Sequence, residues 1–226
     1  MKYIQRYAQF VIEIFSLPLL WLHGVAIICT FILVKTGMDW MYLVYVFGAV
    51  SPVLLSVADI TGFLLPAILP LALFLVFRVT SKKLYRVYFE ASLYAVLLGF
   101  TISTIIKVFT GRTSPPHYHH GEMQPLIDNS NAFHFGFLQE QIMGGWPSSH
   151  ATIAFAFAVT FAILLPPRWY IRTALFSFAL FIAVGVSFGY HWLSESVAGA
   201  LLGVTIGLVV GKYYKKYKTF MLKITK

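Results

Sequence analysis

Long apolar runs separated by short polar segments dominate the chain. Several runs come close to the roughly 20 residues that a helix needs to cross a bilayer core. The pattern therefore predicts an all-α polytopic membrane bundle of six transmembrane helices. The predicted spans cover about residues 14–34, 60–77, 87–109, 151–165, 169–190 and 197–210. We expect the first to be an uncleaved anchor, because it is too long for a signal-peptide core and lacks a convincing cleavage site.

The stretch 41–77 is ambiguous, because as one helix it would measure about 55 Å, nearly twice the thickness of a bilayer core. Ser51-Pro52 and the segment 59–62 interrupt it. We therefore predict an interfacial or partly inserted segment over 41–58 and a span over 60–77.

Two features of the spans predict their geometry. Pro66 and Pro70 should kink the second span, which helix bundles tolerate. Gly199, Gly203 and Gly207 recur every four residues in the last span. Such a ladder of small residues lets two membrane helices pack closely.

Composition also favours a membrane protein. The 226 residues are 59% hydrophobic and only 11% charged, whereas about a quarter of a soluble domain is charged, which excludes an ordinary soluble domain. The single Cys29 excludes an intramolecular disulfide. The net charge of +9 arises in short loops and the C-terminal tail. That distribution indicates orientation by positive charge and favours no nucleic-acid partner.

Basic residues predict the orientation of the bundle. With six spans and a cytoplasmic N-terminus, both termini are cytoplasmic, and only Lys35, Lys107 and Arg112 of the 17 Lys and Arg residues lie outside. This bias agrees with the positive-inside rule, whereas seven spans would turn the basic N-terminus outward. We expect residues 1–226 to form a single membrane domain with an outer loop over 110–147.

A polar stretch at the start of the fourth span carries candidate chemistry: Pro147-Ser148-Ser149-His150. We expect Pro147 to be the first helical residue, because its missing N–H costs nothing there. The following N–H groups and the helix dipole favour a phosphate-sized anion, to which His150 could transfer a proton. The same residues also fit an N-cap with a packed imidazole.

Two further polar stretches reach the same predicted face. Lys107 ends the third span, where a lysine is often a snorkelling anchor. His191 and Glu195 are one helical turn apart and can share a face. A carboxylate that holds one ring nitrogen leaves the other as base or nucleophile, although ordinary polar packing also explains such a pair.

The outer loop contains a His-rich cluster: His117, His119, His120 and Glu122. Such a cluster could hold a metal or supply replacement protons to phosphate, but its spacing matches no trusted metal template. We therefore predict a loop that merely contains histidines, with no metal site.

Acidic residues elsewhere are expected to have structural roles. Asp39 and Asp59 should cap or solvate the outer surface. Glu13 and Glu90, near the inner face, should pair with nearby bases, although an acid inside a membrane is also a functional candidate.

Taken together, the three stretches resemble the type-2 phosphatidate phosphatase superfamily, integral membrane lipid phosphatases related to vanadium-dependent haloperoxidases. The motifs of that family read K-x6-R-P, P-S-G-H and S-R-x5-H-x3-D. Lys107 to Pro115 is similar to the first motif, and Pro147 to His150 matches the second with Ser for Gly. Gly189 to Ala200 resembles the third, with Glu for Asp. The resemblance covers about residues 60–210, the expected phosphatase-like core.

The resemblance implies a catalytic role for three residues. His191 would attack phosphorus and form a phosphohistidine, and Glu195 would orient it. His150 would protonate the leaving group and then activate water. Lys107, Ser148, Ser149 and Arg112 would contribute to substrate binding. The family needs no metal or other cofactor.

Two departures from the motifs concern phosphate binding. The arginine of the first motif falls on Ser114, and that of the third falls on Gly185. Arg112 lies about 140° from Lys107 around an ideal helix. Gly111 can end that helix, so whether Arg112 reaches the site is open at this point.

The resemblance therefore implies a lipid phosphate or lipid pyrophosphate phosphatase. It would act at the outer, periplasmic leaflet of a plasma membrane, such as a bacterial inner membrane. Undecaprenyl pyrophosphate, phosphatidylglycerol phosphate, phosphatidate and lipid A 1-phosphate are candidate substrates. The alternatives are a lipid-to-lipid phosphotransferase and a degenerate member that binds phospholipid without turnover.

Overall fold

The computed structural model describes residues 2–49, 51–116, 118–119, 122–123, 127–139 and 145–224. Within them the protein is all-helical apart from two small hairpins, as the sequence predicts. The helices are α1 (Lys2–Ile14), α2 (Leu17–Lys35), α3 (Met38–Ala49), α4 (Pro52–Thr80), α5 (Lys83–Phe109), α6 (Ser149–Leu164), α7 (Trp169–Val186) and α8 (Leu193–Ile224).

The hairpins lie in the loop between α5 and α6. Strand β1 (Thr110–Arg112) pairs antiparallel with β4 (Phe133–Phe135). Strand β2 (Tyr118–His119) pairs with β3 (Glu122–Met123).

Four helices in the described ranges are long and apolar enough to cross a membrane: α2, α5, α7 and residues Leu193–Met221 of α8. Two shorter apolar helices, Ile68–Thr80 within α4 and the whole of α6, accompany them. These helices fit a membrane-embedded protein. The count of six spans and the side of each terminus stay predictions.

The N-terminal region differs from the prediction, because the run expected over 14–34 contains a break. Helix α1 ends at Ile14, and Ser16 is the N-cap residue of α2, which begins at Leu17. The Ser16 hydroxyl donates to the Glu13 carbonyl at 2.7 Å. Helix α1 is therefore a separate amphipathic element that the run of apolar residues concealed.

Residues 41–77 belong to α3 and α4, and one of the two predicted interruptions is correct. The Ser51 hydroxyl accepts a hydrogen bond from the Val53 N–H at 3.3 Å, and Pro52 opens α4. The interruption predicted over 59–62 is wrong, because α4 continues through it. A weak helix former such as Gly62 lowers the stability of a helix by only about 1 kcal/mol relative to alanine. Packing of the helix against its neighbours readily offsets that loss. The kinks predicted at Pro66 and Pro70 stay a prediction.

Helices α6 and α8 pack closely along the glycine ladder, as predicted. A Cβ atom at Gly199 would lie 2.4 Å from the Ser148 carbonyl oxygen, and one at Gly203 would lie 2.4 Å from that of Thr152. Only glycine permits such an approach of two backbones. The ladder therefore holds the start of α6 against the start of α8.

At the opposite end of the bundle, α1 is anchored to α5 by a buried ion pair and to α8 by a hydrogen bond from Arg6 to the Tyr214 hydroxyl at 3.0 Å. Arg6 Nη1 lies 3.2 Å from Glu90 Oε2, and Arg86 Nε lies 2.9 Å from Glu90 Oε1. The prediction that Glu90 pairs with bases is confirmed. Glu13 instead accepts a hydrogen bond from the Gln9 amide at 2.9 Å.

Candidate active site

His191 and Glu195 form a directly bonded pair. His191 lies in the connection between α7 and α8, and Glu195 lies in the first turn of α8. His191 Nδ1 and Glu195 Oε2 are 2.7 Å apart, and both side chains are buried. The His191 backbone N–H donates to the Val186 carbonyl at 2.9 Å. Because the carboxylate holds Nδ1, a reaction at this imidazole would use Nε2.

His150 brings a second imidazole to this pair. The centroids of the His150 and His191 rings are 6.0 Å apart, and the ring planes are inclined by 59°. His150 lies in the first turn of α6, and His191 lies two residues before α8, so the close packing of α6 and α8 sets this distance.

The start of α6 differs from the prediction at Pro147. Ser148 is the N-cap residue, and its hydroxyl accepts a hydrogen bond from the Ala151 N–H at 3.4 Å. Pro147 therefore precedes the helix and is not its first residue. A serine is preferred as N-cap because it satisfies one of the N–H groups that the first turn leaves without a helical partner. The positive end of the α6 dipole still lies beside the imidazoles.

Lys107 and Ser149 lie at the same end of the bundle. Lys107 is in the last turn of α5 and is 5% exposed. It interacts electrostatically with Glu195 and with His150. The Ser103 hydroxyl donates to the Ser149 hydroxyl at 2.8 Å, which joins α5 to the first residue of α6. The structure thus brings together Lys107, Ser149, His150, His191 and Glu195.

Arg112 is also close to this group, but protein atoms hold each nitrogen of its guanidinium. Nε donates to the Ser130 carbonyl at 3.1 Å. Nη1 donates to the Ser194 hydroxyl at 2.8 Å and lies 3.5 Å from Glu195 Oε1. Nη2 lies 2.7 Å from Asp39 Oδ2 and also donates to the Ser130 carbonyl. The guanidinium therefore braces Glu195 in this structure, and its predicted contact with phosphate stays a prediction.

Asp39 is a residue of this site that the sequence did not reveal. It was expected at the outer surface, but its side chain is fully buried. Oδ1 accepts from the Ser194 N–H at 2.8 Å, and Oδ2 accepts from the Ser194 hydroxyl at 2.6 Å. Asp39 thereby caps α8 one residue before Glu195. A carboxylate is favoured at this helix N-terminus by the helix dipole.

Gly62 of α4 lies against the ring of His150. An added Cβ atom would lie 3.1 Å from His150 Cδ2 and 3.0 Å from Ile182 Cγ2. The glycine therefore lets α4 pack on the imidazole without displacing it. The sequence offered only the interruption expected over 59–62 as a signal for this position.

The positions of the two missing motif arginines differ in their surroundings. Ser114 is exposed in the loop that follows β1, and Gly185 is buried in the last turn of α7. Neither side chain can form the bidentate contact that a guanidinium makes with phosphate. Any positively charged side chain that contacts phosphate at this site must therefore belong to another residue.

No metal centre is found in the described part of the chain, where no group of three or more His, Cys, Asp or Glu residues is arranged to hold an ion. His117 and His120 of the His-rich cluster lie outside the described residues. His119 and Glu122 are opposite each other in the β2–β3 hairpin.

The fold and site define a membrane-embedded helical protein with a His–Glu pair facing a second histidine and a helix N-terminus. The model of the PAP2 superfamily matches residues 90–218. This range begins within α5 and includes all three motif stretches. The chain belongs to the PAP2 superfamily, which confirms the resemblance seen in the sequence. Members of this superfamily are generally phosphatases, so the coarse class of the protein is a phosphatase-type hydrolase. No curated protein and no solved structure matches the chain.

Proposed function

We propose that the protein is a membrane lipid phosphatase that hydrolyses a lipid phosphate or lipid pyrophosphate through a phosphohistidine at His191. The observation that carries this proposal is the bond of 2.7 Å between His191 Nδ1 and Glu195 Oε2, with the His150 ring 6.0 Å from that of His191. An oriented nucleophile beside a separate proton carrier is the arrangement that two-step group transfer requires.

In the first step, the lone pair of His191 Nε2 attacks phosphorus. The bond between phosphorus and the leaving oxygen breaks, and that oxygen takes a proton from His150. Glu195 accepts the Nδ1–H hydrogen bond throughout and offsets the positive charge that develops on the ring. In the second step, water attacks phosphorus while His150 takes its proton. The phosphorus–nitrogen bond then breaks, which releases phosphate and restores His191.

Charge stabilisation at the phosphoryl oxygens is assigned to Lys107, the Ser149 hydroxyl and the N–H groups that open α6. Phosphoryl transfer depends chiefly on positioning and charge stabilisation. Ser148 supports this group by capping α6. Arg112 helps to hold Glu195 in position, because Arg112 Nη1 lies 3.5 Å from Glu195 Oε1.

We propose that this site faces the outer leaflet. The distribution of charge supports this orientation, because the α4–α5 turn and the start of α7 carry basic residues at the opposite end of the bundle. Positively charged segments are retained on the cytoplasmic side. The site then receives the headgroup of a lipid from the outer leaflet, and both termini are cytoplasmic.

One observation favours the alternative of a binding protein without turnover. The guanidinium of Arg112 is held by Asp39, Ser130 and Ser194, while Ser114 and Gly185 replace the two motif arginines. A site with so few cations for phosphate binds it less tightly. Turnover by the purified protein separates the two functions.

The test is phosphate release by purified protein from a panel that contains phosphatidate, phosphatidylglycerol phosphate and undecaprenyl pyrophosphate. We expect release from at least one lipid, and we expect His191→Ala and His150→Ala to abolish it. His134→Ala is the matched control, because His134 is an exposed histidine in β4, outside the candidate site.

Equal release by wild type and His191→Ala would overturn the mechanism. Binding without release from any member of the panel would favour the non-catalytic alternative. Formation of a new phosphorylated lipid with little free phosphate would instead identify a phosphotransferase.

A further inference from the structure

A groove lies at the other end of the bundle, away from the candidate active site. It is bounded by α1, α4 and α5 and has a cavity volume of about 610 Å³. This volume is within the range of about 300–1,000 Å³ that is typical of small-molecule sites. Its walls are largely apolar and aromatic, and include Tyr7 of α1, Phe77 of α4 and Leu97 of α5.

The length of the groove corresponds to one leaflet of a bilayer. Its floor on α5 extends from Arg86 to Leu97, which is about 16 Å at the rise of an α-helix. Half of a bilayer core is about 15 Å. The basic end of the floor is near the start of α5, and the apolar end lies toward the middle of the helix.

The polar end of the groove carries excess positive charge. Arg86 lines the groove and its side chain is 44% exposed, whereas Glu90 is buried and is shared with Arg6. Two guanidinium groups and one carboxylate leave one positive charge at this end. Lys82 and Lys83, exposed in the α4–α5 turn just before Arg86, add to it.

We propose that this groove binds an anionic phospholipid from the leaflet on the side of the termini. One acyl chain lies along α5 between α1 and α4, and the headgroup phosphate is held by Arg86. The apolar lining, the length of one leaflet and the basic rim each match this ligand. This site is independent of the proposed phosphatase reaction, because Arg86 and Lys107 lie at opposite ends of α5.

Native mass spectrometry of the delipidated full chain tests the proposal. The protein is mixed with equal amounts of dioleoylphosphatidylglycerol and dioleoylphosphatidylcholine, and the bound lipids are counted. We expect wild type to retain phosphatidylglycerol preferentially. Arg86→Gln should lower its retention about fivefold, because one basic side chain near the headgroup is lost. Arg86→Lys should keep most of the preference.

Leu97→Trp tests the acyl part of the groove. Leu97 is 42% exposed and lines the groove. A tryptophan at this position would therefore fill the space proposed for the acyl chain without entering the protein core. We expect retention of both lipids to fall. Arg172→Gln is the matched control, since it removes an exposed arginine from the first turn of α7 at the same end of the bundle.

Thermal unfolding of each variant verifies that the fold is retained. Equal lipid retention by Arg86→Gln and Arg172→Gln, or unchanged retention by Leu97→Trp, would overturn the proposal. A dimer in the spectrum that Leu97→Trp dissociates would also overturn it, by identifying a second copy of the chain as the occupant. If Arg86→Gln fails to fold, Arg86→Lys and Leu97→Trp still decide the question.

Discussion

Asp39 and Arg112 are 73 positions apart in the sequence, yet Asp39 Oδ2 and Arg112 Nη2 lie 2.7 Å apart with neither side chain exposed. This ion pair connects α3 to the loop that follows α5. Asp39 also caps α8, and Arg112 also approaches Glu195. The pair therefore joins α3, the α5–α6 loop and the start of α8 next to the His191–Glu195 bond.

The first prediction concerns Asp39→Asn. The substitution keeps the shape of the side chain but removes the nearer of the two carboxylates that pair with the buried guanidinium of Arg112, and leaves only Glu195 at 3.5 Å. Breaking a buried pair in this way typically costs about 3 kcal/mol or more. We expect a clearly lower midpoint of thermal unfolding and a lower kcat, whereas the control Glu13→Gln should change neither. A wild-type midpoint for Asp39→Asn would show that the ion pair does not stabilise the site.

The second prediction concerns the charge of Glu195. Glu195→Gln can still bond to the His191 ring, but an amide does not offset the positive charge of the attacking imidazole. We expect kcat to fall about 10³-fold or more, as in other sites where a carboxylate orients a histidine, with a smaller change in KM. Steady-state kinetics on the preferred lipid measure both values. An increase in KM with unchanged kcat would mean that Glu195 acts in binding.

The third prediction tests the packing of α4 on His150. In Gly62→Ala the new methyl group would lie 3.1 Å from His150 Cδ2, so the ring or α4 must move. Displacing a reacting group by about 1 Å can cost about 100-fold in rate. We expect kcat to fall at least about tenfold while the protein remains folded.

Gly24→Ala is the matched control for that substitution. An added Cβ atom at Gly24 meets nothing within 4 Å, so we expect full activity and unchanged or slightly higher stability. If both alanine variants have wild-type kcat, the position of α4 does not constrain His150.

The fourth prediction concerns the approach of α6 to α8. In Gly203→Ala the methyl group would lie 2.4 Å from the Thr152 carbonyl oxygen, so the helices must separate. Overpacking of this kind costs about 1–3 kcal/mol. We expect a lower unfolding midpoint in detergent, together with reduced kcat because His150 moves away from His191. An unchanged midpoint relative to Gly24→Ala would contradict the proposed role of the ladder.

Local motifs were sufficient to predict most of the candidate site. His191 and Glu195 are four residues apart, and the start of α6 follows from a short polar sequence before an apolar run. The glycine ladder is likewise a regular spacing within one helix. Each of these features lies in a single segment, so its chemistry could be recognised without knowledge of tertiary contacts.

Other features depend on tertiary contacts and could not be predicted in the same way. Asp39 reaches Ser194 and Arg112 only because α3 packs beside α8, and no spacing in the sequence indicates that contact. Helix α1 was hidden because its apolar face continues into the apolar run of α2. The start of α6 was placed too early because Pro147 and Ser148 both suit the beginning of a helix, and the capping bond decides between them.

The most direct test of the central claim is a search for a phosphorylated histidine. Purified protein is mixed with a lipid phosphate labelled with ³²P at phosphorus and quenched within the first turnover, and the labelled peptide is identified. We expect an acid-labile, base-stable label on His191 that is absent from His191→Ala and accumulates when hydrolysis of the phosphohistidine by water is slowed. Phosphate release with full activity but no label on His191, or a label on another residue, would contradict it.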